Sequence, residues 1–197
     1  MLDYKTDLFL LSDRNYKDFD RIVIAYTKDL GKISLRVRGA YKTLSKLNPS
    51  LHFFSIANCD IIKGRSFNYI ANASEECVYK NIINSLKKTS IYFFVIEVLD
   101  KMTYDNIEDE KIYNLCIRYF EYLDKLKIKE DGLYIYFNKD IEIINSLYKF
   151  LIILFKEIGL NIERKYLDKK ILNNKKEFFD FVYFYTEEYL KTEKFFK

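Results

Sequence analysis

The chain is poor in the residues that most often carry chemistry. It has a single histidine, His52, and no acidic or nucleophilic partner stands beside it at a spacing that marks a triad or dyad, so His52 reads as structural. Neither G-x-x-x-x-G-K-S/T nor G-x-G-x-x-G occurs, which removes phosphate cradling by a glycine loop. The three cysteines, Cys59, Cys77 and Cys116, lie far apart without a C-x-x-C pair. An odd number of isolated thiols fits a reducing compartment, and all three are expected as small buried hydrophobes. Histidine and cysteine together lack the close paired spacing of a structural zinc site, so neither a metal nor a cofactor is expected. The start, MLDYKTDLF, has acidic residues where a signal peptide needs a basic and then an apolar run. The longest apolar stretches, IYFFVIEVL and FLIILF, are too short to span a bilayer. A cytoplasmic protein without membrane contact is the expectation. Acidic clusters at Glu108, Asp109 and Glu110 and at Glu187 and Glu188 fall on predicted helices, where solvated faces are the rule. The chain is not expected to be an enzyme.

With 197 residues, 49% of them hydrophobic, the chain can bury a real core as one large domain or two small ones. Its first part reads as short β-type runs at 8–12, 21–27, 33–38, 55–63 and 67–73, separated by turn chemistry such as KDLGK and KGRS. Five short strands with hairpin-length links predict a small barrel. From residue 78 the spacing turns helical. A central helix is predicted through residues 78–102, apolar nearly all round at 91–99, and a second near 108–126. A third has Asp140 as its N-cap and Gly159 just past its end. A fourth, at 175–190, carries Phe178, Val182, Tyr185 and Tyr189 on one stripe. The expected architecture is α+β with two domains, a β-barrel at 1–78 and an α-helical bundle at 79–197. Most of the phenylalanine and tyrosine is accounted for by core packing.

Charge is unevenly spread. Residues 28–65 hold eight cations against Asp29 and Asp60, a net of +6 in a chain whose total is +4, so the rest is net negative. A local concentration of this kind attracts polyanions. Within it, GKISLRVRGAYKTLSK alternates Ile33, Leu35 and Val37 with Lys32, Ser34, Arg36 and Arg38. The two-residue period turns the first set to the core and the second to water. Arginine's planar fork suits phosphate and stacks on rings, so Arg36 and Arg38 say more than another lysine in a lysine-rich chain. Lys42 and Lys46 extend the charge past Gly39, Lys63 and Arg65 add to it from the next turn, and Tyr41 is placed to stack on a base. Phe53, Phe67 and Tyr69 are open to two readings, base stacking or ordinary strand filling. An ordinary solvated strand face remains the competing reading of the basic row.

The stretch FLLSDRNYKDFDRIVIAYTKDLGKISLRVRGAYKTLSKLNPSLHFFS resembles the start of the RecO family of bacterial recombination mediators. The matching residues are Ser12, Arg14, Tyr16, Asp20, Ile22, Val23, Thr27, Gly31, Lys32, Ile33, Gly39, Ala40, Lys42, Ser45, Leu51, Phe54 and Ser55. KGRSFNYIANASEE is similar to the family's Gly-Arg hairpin and following strand, and FLIILFKEIGLNIE and YLKTEKFF resemble weaker signals further on. Tyr41 and Pro49 depart from the pattern. The four-cysteine zinc module of many members is missing, with RKYLDKKILNNKK where it would lie. The resemblance implies an N-terminal OB-fold barrel and a C-terminal helical domain. It also implies binding of single- and double-stranded DNA, annealing of complementary strands, association with RecR, and help in loading RecA onto DNA coated with single-stranded-DNA-binding protein. That protein's acidic, apolar C-terminal tail would dock on the helical domain, in an apolar groove with a cation for its carboxylate. The expected DNA contacts are Lys32, Arg36, Arg38, Lys42, Lys46, Lys63 and Arg65, with Tyr41 for stacking. A protein-interaction adaptor, or an RNA-binding OB-fold protein without annealing activity, is the alternative.

Overall fold

The computed structural model describes residues 4–42, 47–129, 132–167 and 174–197. Five strands, β1 (Tyr4–Tyr16), β2 (Asp20–Thr27), β3 (Gly31–Val37), β4 (Ser55–Ile62) and β5 (Asn68–Val78), close into a barrel in the order β1-β2-β3-β5-β4. All pairs are antiparallel except β3 with β5, which close the barrel in parallel at Leu35–Asn68 and Arg36–Tyr69. This is the OB-type barrel. The predicted alternation of β3 holds, with Ile33, Leu35 and Val37 in the barrel core beside Leu8, Leu10, Val23, Ala25, Cys59 and Ile61.

β1 is far longer than its apolar run suggests. A bulge between Leu10 and Ser12 shifts its register against β2. One extra residue reverses the faces. Leu10 still pairs with Ala25 on the inner side, while beyond the bulge Ser12, Arg14 and Tyr16 pair with the outward Ile24, Ile22 and Asp20. On the inner side Arg21, only 5% exposed, meets Asp13 at 3.2 Å and donates to the Leu51 carbonyl.

The chain divides into two compact units, Met1–Lys80 with Thr103–Asn114, and Asn81–Met102 with Leu115–Lys197. The first is the barrel and a segment that arrives late in the sequence. Asn106 donates its backbone N–H to the Lys32 carbonyl at 2.8 Å, and residues 32 and 105 form a parallel bridge. This segment occupies the edge of β3 that β5 does not reach. Gly31, at φ +65°, makes the approach possible, since a Cβ there would lie 1.8 Å from the Ile107 carbonyl oxygen.

The second unit is helical. Its helices are α1 (Lys80–Ile83), α2 (Leu86–Met102), α3 (Glu110–Lys125), α4 (Ile141–Glu157) and α5 (Lys175–Thr186), with 3₁₀ turns at Arg164–Leu167 and Lys191–Phe195. The helix predicted through 78–102 is broken, because the Ser85 hydroxyl accepts the Lys88 N–H at 3.2 Å and starts α2 afresh. α2 is buried nearly all round, as predicted. Phe94 packs against Phe178, Phe179 and Phe196, and Tyr92 against Phe120 at 4.6 Å. α5 stops at the left-handed Glu187, so Tyr189 leaves the predicted stripe and is 81% exposed. Asp140 precedes α4 as expected but makes no side-chain cap. Its carboxylate instead takes the buried Lys87 ammonium at 2.7 Å and the Tyr136 N–H at 2.7 Å. The cysteines divide: Cys59 and Cys116 are buried, but Cys77 is exposed on β5, a correction to the expectation of three buried thiols. Burial pushes the Cys59 thiol up to about 12.

No helix among the described residues is long and apolar enough to cross a membrane. None of their His, Cys, Asp and Glu side chains gather in threes that could hold a metal ion.

Candidate nucleic-acid interface

The outward face of the barrel is built by register. Arg14 lies opposite Ile22, Ile22 opposite Arg36, and Arg36 opposite Tyr69, so one row crosses four strands as Arg–Ile–Arg–Tyr. A second row sets Tyr16 opposite Asp20. The guanidinium of Arg36 lies 4.9 Å from the centre of the Tyr16 ring, and that of Arg38 lies 3.9 Å from the centre of the Tyr69 ring. Phe67 packs on Tyr16 at 5.7 Å, and the Lys17 ammonium stands 5.6 Å from the same ring. Arginine forks laid on aromatic faces combine a charge for phosphate with a flat surface for a base.

The predicted cations are not equivalent. Arg36 faces outward as its alternation requires, but its Nε and Nη2 both meet the Asp20 carboxylate, at 2.7 and 2.5 Å. The other Asp20 oxygen accepts the Gly39 N–H at 2.7 Å. Asp20 thus ties the end of β3 to the turn after it. Lys32 is also largely covered, with Asp105 at 3.6 Å. Arg38, Lys42, Lys63 and Arg65 are exposed. Tyr41 is exposed too, but its hydroxyl donates to Asn15 at 2.7 Å, which fixes the ring beside the β1–β2 hairpin. Lys46 lies outside the described residues. Phe53 is half-buried against the barrel core and fills space there.

Sequence reasoning leaves Arg14, Lys17 and Tyr16 out of the site, and it leaves Tyr69 open between base stacking and strand filling. The first three follow an apolar strand that reads as ending at Ser12, and only the bulge brings Arg14 and Tyr16 to the outer face. The alternation Ser12, Arg14, Tyr16 is the available signal.

The Gly39 amide, aided by the Arg36 guanidinium and opposed by burial, holds the Asp20 carboxyl below its ordinary value, and the Arg36 guanidinium is raised in turn by Asp20. A carboxyl with a lowered folded-state pKa contributes stability that is complete above its unfolded value, near ~3.9, and that is lost as pH falls through the folded value. Asp20→Asn is therefore expected to cost about 1–3 kcal/mol at neutral pH. In thermal melts the gap from wild type should close below about pH 4; a gap independent of pH would remove the clamp. Arg38 beside it lowers the Tyr69 phenol.

The helical unit offers a different surface. A groove of about 710 Å³ lies between α3 and α4, lined by Leu115, Tyr119, Tyr122, Ile141, Phe150 and Ile153, with the exposed Arg118 and Lys149 among them. Tyr119 packs against Phe150 with tilted rings 4.6 Å apart and shares a hydrogen bond with Ser146 at 3.3 Å.

A closed OB barrel with an arginine–tyrosine outer face, followed by a helical unit, defines an α+β protein of the OB-fold class. Residues 1–75 match the family model described as Recombination protein O N terminal. Over its first 75 residues the chain is therefore similar to the RecO N-terminal family, and further along it remains similar to bacterial DNA repair protein RecO. It is 26% identical to that protein of Alkaliphilus metalliredigens over 125 residues, covering 64% of this chain and 51% of the relative. It is 31% identical to that of Lactococcus lactis subsp. lactis over 126 residues, covering 64% and 49%. For Mesoplasma florum the identity is 28% over 123 residues, covering 62% and 45%. The chain spans about half the length of the curated relatives it matches.

Proposed function

We propose that this chain is a DNA repair and recombination mediator, with the barrel at 1–78 as its DNA-binding domain and residues 79–197 as its partner-binding domain. The observation that carries the reading is the outer row of Arg14, Arg36 and Tyr69 with Arg38 laid on Tyr69. Arg14, Lys17, Arg38 and Lys42 supply the phosphate contacts, with Lys63 and Arg65 beyond them, while Tyr16, Tyr41 and Tyr69 offer faces to bases. Arg36 and Lys32 shape the face more than they bind, because each already meets a carboxylate. Both single- and double-stranded DNA are bound, and no covalent step is involved. Holding a strand by its backbone leaves bases available for pairing. That is the requirement for annealing and, together with RecR, for placing RecA on DNA coated with single-stranded-DNA-binding protein.

About four phosphate contacts give a log–log salt slope near −3 for single strands. In fluorescence anisotropy, Arg14→Ala with Arg38→Ala is expected to flatten that slope by about 1.4 and to weaken binding to any sequence. Both side chains are exposed, so the fold should survive. Arg36→Glu is the poorer test, since it breaks the Asp20 clamp as well. A slope unchanged in the double variant would overturn this face as the DNA site. Preference for RNA in direct competition, or partner binding without any annealing, would favour the alternatives.

The groove between α3 and α4 is the proposed dock for the acidic, apolar tail of single-stranded-DNA-binding protein. Its apolar walls take the side chains, and Arg118 and Lys149 take the carboxylates. A labelled tail peptide is expected to bind wild type and to lose affinity in Arg118→Glu with Lys149→Glu. Equal binding to both would remove the groove from the proposal.

A further inference from the structure

Beside the arginine–tyrosine face the barrel has a polar recess of about 270 Å³, formed by Ser34 on β3, Arg65 and Phe67 from the β4–β5 turn, Asn68 at the start of β5, and Asp105 and Asn106 from the late segment. We infer that this recess is a subsite for one unpaired base of a single strand, with the phosphate of that nucleotide on Arg65. The inference rests on the DNA-binding reading above and adds to it a means of telling single strands from duplex.

The chemistry of the lining carries the assignment. Its volume falls just below the roughly 300–1,000 Å³ of pockets that hold drug-sized ligands, which suits one planar ring. Ser34, Asn68 and Asn106 supply hydroxyl and amide groups that both donate and accept, and the Asp105 carboxylate accepts from ring or exocyclic N–H. The Lys32 ammonium, 3.6 Å from Asp105, tempers that carboxylate next to a polyanion. Phe67 adds an aromatic wall, and its contact with Tyr16 joins the recess to the outer face. The turn can form this wall because Gly64 has no side chain: a Cβ there would lie 2.2 Å from the Phe67 carbonyl oxygen and 2.5 Å from the Tyr69 ring. A base inside a duplex has its polar edge already paired and its faces stacked, so it cannot enter. An unpaired base can.

Two substitutions test this from opposite directions. Ser34→Phe fills the recess from an outward strand position that tolerates aromatics. Asn106→Gly removes an amide at φ +60°, where glycine is at ease. Binding is read by anisotropy on a labelled strand of about 15 nucleotides, near the upper site size of one OB fold, and on the duplex of the same sequence. Each variant is expected to lose about tenfold or more in single-strand affinity, with duplex affinity and both salt slopes unchanged. Should Ser34→Phe fail to fold, Asn106→Gly still decides. Equal losses on strand and duplex, or none on either, overturn the inference while leaving the salt-slope result for Arg14 and Arg38 to judge the DNA reading by itself. Competition by a free deoxynucleoside monophosphate as strong as by the strand also overturns it, since the recess then serves a free nucleotide. Absence of all nucleic-acid binding by wild type overturns both.

Discussion

Gly31→Ala is expected to lower the melting temperature of the barrel by roughly 10 °C or more. Two costs add. The residue sits at φ +65°, where an L side chain is disfavoured by about 1–2 kcal/mol. Its new Cβ would also lie 1.8 Å from the Ile107 carbonyl oxygen and 2.6 Å from its carbon. Those are backbone atoms, so the whole segment must lift off β3, breaking the Asn106 to Lys32 hydrogen bond at its edge. The combined loss is about 3 kcal/mol or more. Gly39→Ala is the control, because Gly39 lies in the same unit at nearly the same φ, +61°, but a Cβ added there would meet only the flexible Lys42 side chain, at 3.2 Å. It should show the backbone cost alone. Equal melting of the two variants, followed by circular dichroism, would mean that the contact with Ile107 contributes nothing.

The second large effect belongs to the helical unit. Lys87 is wholly buried, and its ammonium meets Asp140 at 2.7 Å. Taking away the carboxylate strands a cation in a low-dielectric interior, and Asp140→Ala is expected to cost about 3–5 kcal/mol. The Tyr136 N–H loses its acceptor in the same step. Combining Lys87→Met with Asp140→Asn removes both charges while an acceptor for Tyr136 remains, and should restore most of the stability. Urea midpoints of the single and double variants measure this. A double variant as unstable as Asp140→Ala would show that the cost came from losing the ion pair itself and not from an orphaned charge.

What can be read from residues alone is what local period determines. The alternation of β3 places Ile33, Leu35 and Val37 inside and Arg36 outside, and the helical runs give α2 to α5 their approximate extents. Strand lengths and turn residues predict a small barrel, and the family resemblance implies that it is an OB fold. What escapes is set by partners distant in sequence. Nothing near Arg36 announces that Asp20, sixteen residues earlier, neutralises it. The bulge in β1 involves one unpaired residue in a run of leucines, yet it decides that Arg14 and Tyr16, and not Asp13 and Asn15, share the outer face. Lys87 gives no local sign of burial, because its carboxylate lies 53 positions away. The recess combines a strand, a turn and a segment near residue 105, which no short-range pattern connects.

That segment also bears on the order in which the protein is made. All five strands lie before Tyr79, so a growing chain has every part of the barrel wall once β5 emerges. The edge of β3 near Lys32 nevertheless has to wait until α2 has been synthesised and Asp105 to Ile107 have followed it. During that interval the nascent chain presents an unfinished strand edge, open to pairing with a neighbour. Release of the first unit from the ribosome as a finished barrel depends on residues that come after the first long helix of the second.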